Sequence, residues 1–215
     1  MNELCKRRKR LSEFEAKYYI FQIVSALTYL HNNKIIHRDL KLGNLFLNSN
    51  LEIKLGDFGL AAKLEFDNEK RHTVCGTPNY LAPEVLSSKI GHSYEVDVWS
   101  LGVVLYTIII GKPPFETPKV EKTYKKIRHA MYSFPENISI SQEAKELISR
   151  IFVLDPQQRP SLQQIVQSTF LNNGIGIAQS MHISTLAMQP NKELKQKLIG
   201  KDNGRGRQPS SNNNR

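Results

Sequence analysis

The chain has little cysteine: Cys5 and Cys75 are the only two in 215 residues. That is too few for a disulfide framework, and it fits a reducing compartment. No secretory leader is expected, because the first ten residues are dense in charge and no apolar stretch follows them. Long apolar runs are missing too. The longest, Leu101 to Ile110, is about half of the roughly 20 residues that a membrane span needs. It reads instead as a buried helix, and no membrane partner is expected. Basic and aromatic residues do not interleave in the manner of a nucleic-acid groove, so a nucleic-acid role would rest on charge alone and is set aside. Finally, no glycine precedes Gly43. This excludes a glycine-rich phosphate cradle upstream of that point.

What is present suits one globular domain with a tail. Hydrophobic residues make up 40% of the chain, enough for a real core. The net charge of +10 favours anionic partners without choosing among them. Much of the excess sits in Lys6–Arg10 and Lys192–Arg207. Ser12 with Glu15 makes a capping box, and Phe14, Tyr18, Phe21, Val24, Leu27 and Leu30 follow at helical spacing through His31. Leu45–Leu47 and Glu52–Leu55 read as two short strands around the polar turn Asn48-Ser49-Asn50. Gly56–Arg71 reads as loop and Pro83–Leu86 as one helical turn. Tyr94–Ile110 is apolar almost all round, so it should form a central helix, stopped at Gly111-Lys112-Pro113-Pro114. Further helices are expected near Lys119–Ala130, Ser141–Phe152 and Ser161–Ser168. The fold class is therefore mainly α, a helical bundle around a buried central helix with one short β-hairpin. Residues 191–215 read as a basic disordered tail.

The stretch His37-Arg38-Asp39-Leu40-Lys41-Leu42-Gly43-Asn44 carries the chemistry. Asp39 can orient a hydroxyl and take its proton, Lys41 can offset charge on a transferred phosphate, and Asn44 can give a carbonyl oxygen to Mg²⁺. An isolated His-Arg-Asp is usually a polar surface loop; the full run is not. Asp57-Phe58-Gly59 follows the second strand and supplies a second hard oxygen ligand, with Phe58 expected to pack inward beside His37. Alone it would be an ordinary turn. Glu84, in Ala82-Pro83-Glu84, has a candidate partner in Arg159 for a bidentate, structural ion pair. Thr73 is a candidate phosphorylation site with Arg38 as the phosphate receiver, and Thr77 is expected to bond to Asp39 and Lys41. Asp97 either caps the central helix or bonds back to the backbone of the catalytic loop; the second is favoured. Cys75 reads as a packed small residue.

In this order, His-Arg-Asp, Asp-Phe-Gly, Ala-Pro-Glu, Asp-Val-Trp-Ser and Asp-Pro-x-x-Arg-Pro resemble the C-terminal lobe of a eukaryotic protein kinase, and Lys41 follows the serine/threonine pattern. Asp39–Asn48, Cys75–Tyr80, Gly91–Ser100 and Gly111–Thr117 closely resemble Polo-like kinases, and the likeness covers roughly residues 3–190. The resemblance implies a partial kinase domain over 1–172, a linker over 173–190, and transfer of the ATP γ-phosphate to protein Ser/Thr in mitotic control. It implies ATP and Mg²⁺ as cofactors, with Phe46 as the floor under adenine and Asn44 and Asp57 on the metal. It implies Thr73 as the target of an upstream activating kinase. Substrates would carry acidic residues near the target Ser/Thr. The expected location is intracellular, in cytoplasm, nucleus, or at centrosome and spindle. The chain departs from the family in two ways: no Gly-rich loop, strand lysine, helix glutamate or adenine hinge occurs before Lys34, and no polo box follows. A truncated, singly inactive chain is expected, with Phe46 and Phe58 partly exposed and residues 60–77 mobile. The alternative is a non-catalytic kinase-lobe binding module or decoy.

Overall fold

The computed structural model describes residues 1–66, 69–87 and 91–172. The expected linker (173–190) and tail (191–215) lie outside the described residues. Seven helices and four short strands are described: α1 Asn2–Arg8, α2 Glu13–Asn32, β1 Ile35–Ile36, β2 Leu45–Leu47, β3 Ile53–Leu55, β4 Ala62–Lys63, α3 Glu95–Ile110, α4 Val120–Arg128, α5 Gln142–Ile151, α6 Leu162–Val166 and α7 Thr169–Asn172.

Helix α3 is the centre. Every residue from Val96 to Ile110 is buried, the outcome expected when a helix has no polar face. Helices α2 and α5 pack on it. Gly102 makes the α5 approach possible: a Cβ there would sit 2.4 Å from Ile151 Cγ2. The helix ends at Gly111, whose φ of 95° is open to glycine and strained for other residues. Below α3, Trp99 stacks on Phe115 at 5.4 Å between ring centroids, and Phe152 closes on both.

Helix α2 begins with the expected capping box, Ser12 and Glu15 each bonding the other's backbone N–H. Its end delivers the chain through β1 into the catalytic loop. After that loop, β2 and β3 pair antiparallel in the register Leu45↔Leu55, Phe46↔Lys54 and Leu47↔Ile53. Strand alternation buries Leu45 and turns Phe46 to the opposite face, where it is 56% exposed. The Ile53 N–H donates to Gln22 Oε1 at 2.8 Å, pinning the hairpin to α2.

Three details differ from the sequence reading. The run Lys6–Arg10 reads only as charge, yet Asn2–Arg8 is helical. It docks through buried Cys5 and through an Arg8–Glu15 ion pair to the first turn of α2. Gly56–Arg71 is not all loop: β4 pairs with β1, Ile35↔Lys63 and Ile36↔Ala62. Two residues carry no periodicity, and their partner is distant in sequence. The expected Ser161–Ser168 helix stops at Val166, and α7 is a separate short helix.

Candidate active site

The catalytic loop is held from beneath by Asp97 of α3. One carboxylate oxygen accepts the Arg38 N–H and the other the His37 N–H, both at 2.9 Å. The second oxygen also lies 2.9 Å from His31 Nε2. Asp97 is fully buried and makes no helix-cap bond. Its bonds fix Arg38 at φ 66°, a left-handed conformation that costs on the order of 1–3 kcal/mol and needs such a clamp.

Asp39 follows, 6% exposed. Its Oδ1 accepts from Thr77 Oγ1 at 2.7 Å and from the Thr77 N–H at 3.1 Å. Its Oδ2 accepts from Lys41 Nζ at 2.6 Å and Asn44 Nδ2 at 3.1 Å. Lys41 also reaches Thr77 Oγ1 at 2.9 Å, closing a ring of Asp39, Lys41 and Thr77, with Asn44 bonded to Asp39 beside it. Burial alone would push the Asp39 carboxyl up. Hydrogen bonds from Lys41, Thr77 and Asn44, with the Lys41 charge, outweigh it and hold the carboxyl below its ordinary value of 3.8. Asp39 is thus an ionised acceptor of low basicity, suited to orienting a hydroxyl and taking its proton late in transfer.

The hairpin carries the second half of the site around. The Gly56 N–H donates to the Asn44 carbonyl at 3.0 Å, which sets Asn44 and Asp57 at the same end of β2 and β3. Asp57 sits at φ 60° and is exposed, its Oδ1 accepting the Gly59 N–H at 3.3 Å. Phe58 touches the His37 ring at 5.2 Å between centroids but remains 49% exposed. Phe46 covers Gly56, where a Cβ would meet its ring at 3.0 Å.

Residues 1–171 match the family model described as protein kinase domain. The chain belongs to the protein kinase family. It is 54% identical over 203 residues to the probable serine/threonine-protein kinase CCRP1 of Zea mays, covering 94% of this chain and 32% of that protein. It is 48% identical over 190 residues to the serine/threonine-protein kinase polo of Drosophila melanogaster, covering 88% of this chain and 32% of that protein. It is 54% identical over 165 residues to the cell cycle serine/threonine-protein kinase CDC5/MSD2 of Saccharomyces cerevisiae, covering 76% of this chain and 23% of that protein. The chain spans under a third of the length of each of these relatives.

In this kinase chain the donor set fits Mg²⁺. Asn44 and Asp57 offer a carboxamide oxygen and a carboxylate, the hard ligands this ion prefers. The Asn44 nitrogen is committed to Asp39 Oδ2 and to the Asp39 carbonyl at 2.9 Å, which fixes the amide's orientation. The same kinase fold buries a Glu84–Arg159 pair, with both guanidinium nitrogens 2.7 Å from the carboxylate oxygens. Arg159 also lies over the Trp99 ring at 4.9 Å. Thr73 is exposed, while Arg38 donates Nε to the Leu60 carbonyl at 2.6 Å. His31 was missed by sequence reasoning. It is the last-turn residue of an ordinary helix, and only the fold brings it to Asp97.

Proposed function

We propose that this chain carries the base-and-metal side of a serine/threonine protein kinase site of the Polo-like type. The observation that carries the proposal is the Asp39 ring, in which one carboxylate engages Lys41, Asn44 and Thr77 at once. A protein hydroxyl bound at Asp39 would be aligned for attack, and its proton would pass to that carboxylate. Lys41 would offset charge on the transferred phosphoryl group. Asn44 and Asp57 would hold Mg²⁺, which when bound neutralises the phosphate oxygens of ATP. Phe46 would present its exposed ring to the adenine.

Substrates would be proteins with acidic residues near the target. Support comes from Lys119 at the N-cap of α4 and Lys122, Lys125 and Arg128 along it, all exposed; α4 packs against the Pro78–Tyr80 turn. Thr73 would be phosphorylated by an upstream kinase, and Glu84–Arg159 would be structural. The name of the Saccharomyces relative supports a role in the cell cycle. The chain would act inside the cell, in cytoplasm, nucleus, or at centrosome and spindle.

The test grafts the upstream kinase-domain residues of the Drosophila relative onto this chain and follows γ-phosphate transfer to an acidic peptide. Transfer should require Mg²⁺ and fall by about 10²–10⁴ in Asp39→Ala. The 215-residue chain by itself should give none. A folded graft without activity, or activity indifferent to Asp39→Ala, would sink the proposal.

A further inference from the structure

The segment bearing Thr73 is anchored on both sides of that residue. Before it, Arg71 and His92 form a backbone bridge: the Arg71 N–H donates to the His92 carbonyl at 2.9 Å and the His92 N–H to the Arg71 carbonyl at 2.8 Å. Gly91 makes the bridge close, with φ 69° and so little room that a Cβ would lie 2.9 Å from His72 Cε1. After Thr73, Cys75 lines a small cavity shared with Arg38, His92 and Ser100. Gly76 then passes directly over the catalytic loop, where a Cβ would sit 3.0 Å from the Arg38 carbonyl. Thr73 lies two residues from each anchor. Two residues of extended chain span only about 6.5–7 Å. Thr73 is exposed, and its backbone is therefore held within about 7 Å of Cys75, which lines the cavity with Arg38 and His92.

His92 is 4% exposed, and charged groups reach it from four elements. Arg38 comes from the catalytic loop, His72 from the Thr73 segment, Glu84 from the turn after Ala82, and Asp97 from α3. Glu84 is committed to Arg159, and Asp97 to the loop amides and His31. Burial first, then the Arg38 charge, holds the His92 imidazole below its ordinary value. It is neutral at pH 7 in the unmodified chain.

We propose that a phosphate on Thr73 is received by two groups, Arg38 and His92, and that His92 takes up a proton when the phosphate arrives. This rests on the reading of Thr73 as the phosphosite with Arg38 as a receiver. Arg38 is a permanent cation, whereas His92 is a conditional one. A phosphothreonine loses its second proton near pH 6, on the order of the range in which imidazole titrates. A dianion within about 4–6 Å raises an imidazole by roughly 1–3 pH units. The proton comes from solvent or from the phosphate monoanion, and no bond other than O–H or N–H changes. The site then holds the segment on the catalytic loop through both groups near neutrality. At alkaline pH it loses the His92 half while Arg38 stays.

The test uses the full chain with phosphothreonine installed at position 73 during translation, beside the unmodified chain. Proton NMR follows His92 Cε1–H, identified by its absence in His92→Gln, and phosphorus NMR follows the phosphate. On phosphorylation the His92 midpoint should rise by at least about one pH unit. The phosphate midpoint should lie below that of a free phosphothreonine peptide, and should move back up in His92→Gln and in Arg38→Gln. An unchanged His92 midpoint, with a phosphate that responds to Arg38→Gln but not to His92→Gln, overturns this inference and leaves the receiver reading standing. A phosphate indifferent to both substitutions overturns both. The His92 titration in the otherwise native chain keeps the test decisive even if a variant does not fold.

Discussion

The two halves of the site are built differently. Around Asp39 the side chains are buried or half-buried and bonded to several elements at once: Asp97 from α3, Thr77 from the segment after Gly76, Asn44 from the 3-10 turn Leu42–Asn44 before β2. Around Asp57 the reverse holds. Asp57, Phe58 and Gly59 are exposed, Phe46 presents more than half its surface, and the Asp57 carboxylate accepts a bond only from its own turn among the described residues. The proposed base, Asp39, is thus held by bonds among the described residues. The side proposed to face the nucleotide is a surface with apolar rings left uncovered. The comparison also explains why the same short motifs differ in weight: Asp39 is determined by its surroundings, Asp57 by its turn.

Stability measurements should break or sharpen this contrast. The largest effect is expected at the buried Glu84–Arg159 pair, in Arg159→Ala. It strands the buried Glu84 carboxylate and strips a cation from the Trp99 ring, so a loss of about 3–5 kcal/mol is expected in denaturant unfolding. Asp97→Asn keeps the shape but weakens two bonds to the loop and one to His31 of α2. A loss of about 1–3 kcal/mol is expected, together with slower transfer in the grafted kinase. On the other side, Asp57→Ala and Phe58→Ser should each shift stability by no more than about 0.5 kcal/mol, and Phe58→Ser should raise solubility. Losses at Asp57 as large as those at Asp97 would erase the distinction.

The smallest effect is a pH slope. The folded Asp39 carboxyl titrates below its unfolded value of 3.8, so its stabilisation is complete above that value and is lost as pH falls through the folded one. Unfolding measured between about pH 5 and 2 should be steeper in the native chain than in Asp39→Asn. Equal slopes would mean the ring does not favour the carboxylate.

Much of this was legible in the sequence, for identifiable reasons. Helix α3 betrayed itself because a helix with no polar face can only be central, and Ser12 with Glu15 marked the start of α2 by a local side-chain exchange. Leu45-Phe46-Leu47 and Glu52–Leu55 flanked the polar turn Asn48-Ser49-Asn50 as hairpin strands should. The pairing of Thr77 with Asp39, of Asp97 with the loop, and of Glu84 with Arg159 were expectations whose partners the fold sets within bonding distance. What escaped were features without a local signature. Helix α1 looked like a charge run because Cys5 is its one buried residue, helped among its apolar residues only by half-buried Leu4. Strand β4 is two residues long. His31 and His92 gain these neighbours only when segments distant in sequence meet, Asp97 for His31 and Arg71 for His92.

Hydrogen exchange on the 215-residue chain tests the central claim most directly. The His37 and Arg38 amides, bonded to buried Asp97, should exchange at least about 100-fold more slowly than those of Phe58 and Gly59, after correction for intrinsic rates. Comparable rates at the two places would contradict the claim that this lobe builds the base side of the site by itself and leaves the nucleotide side open.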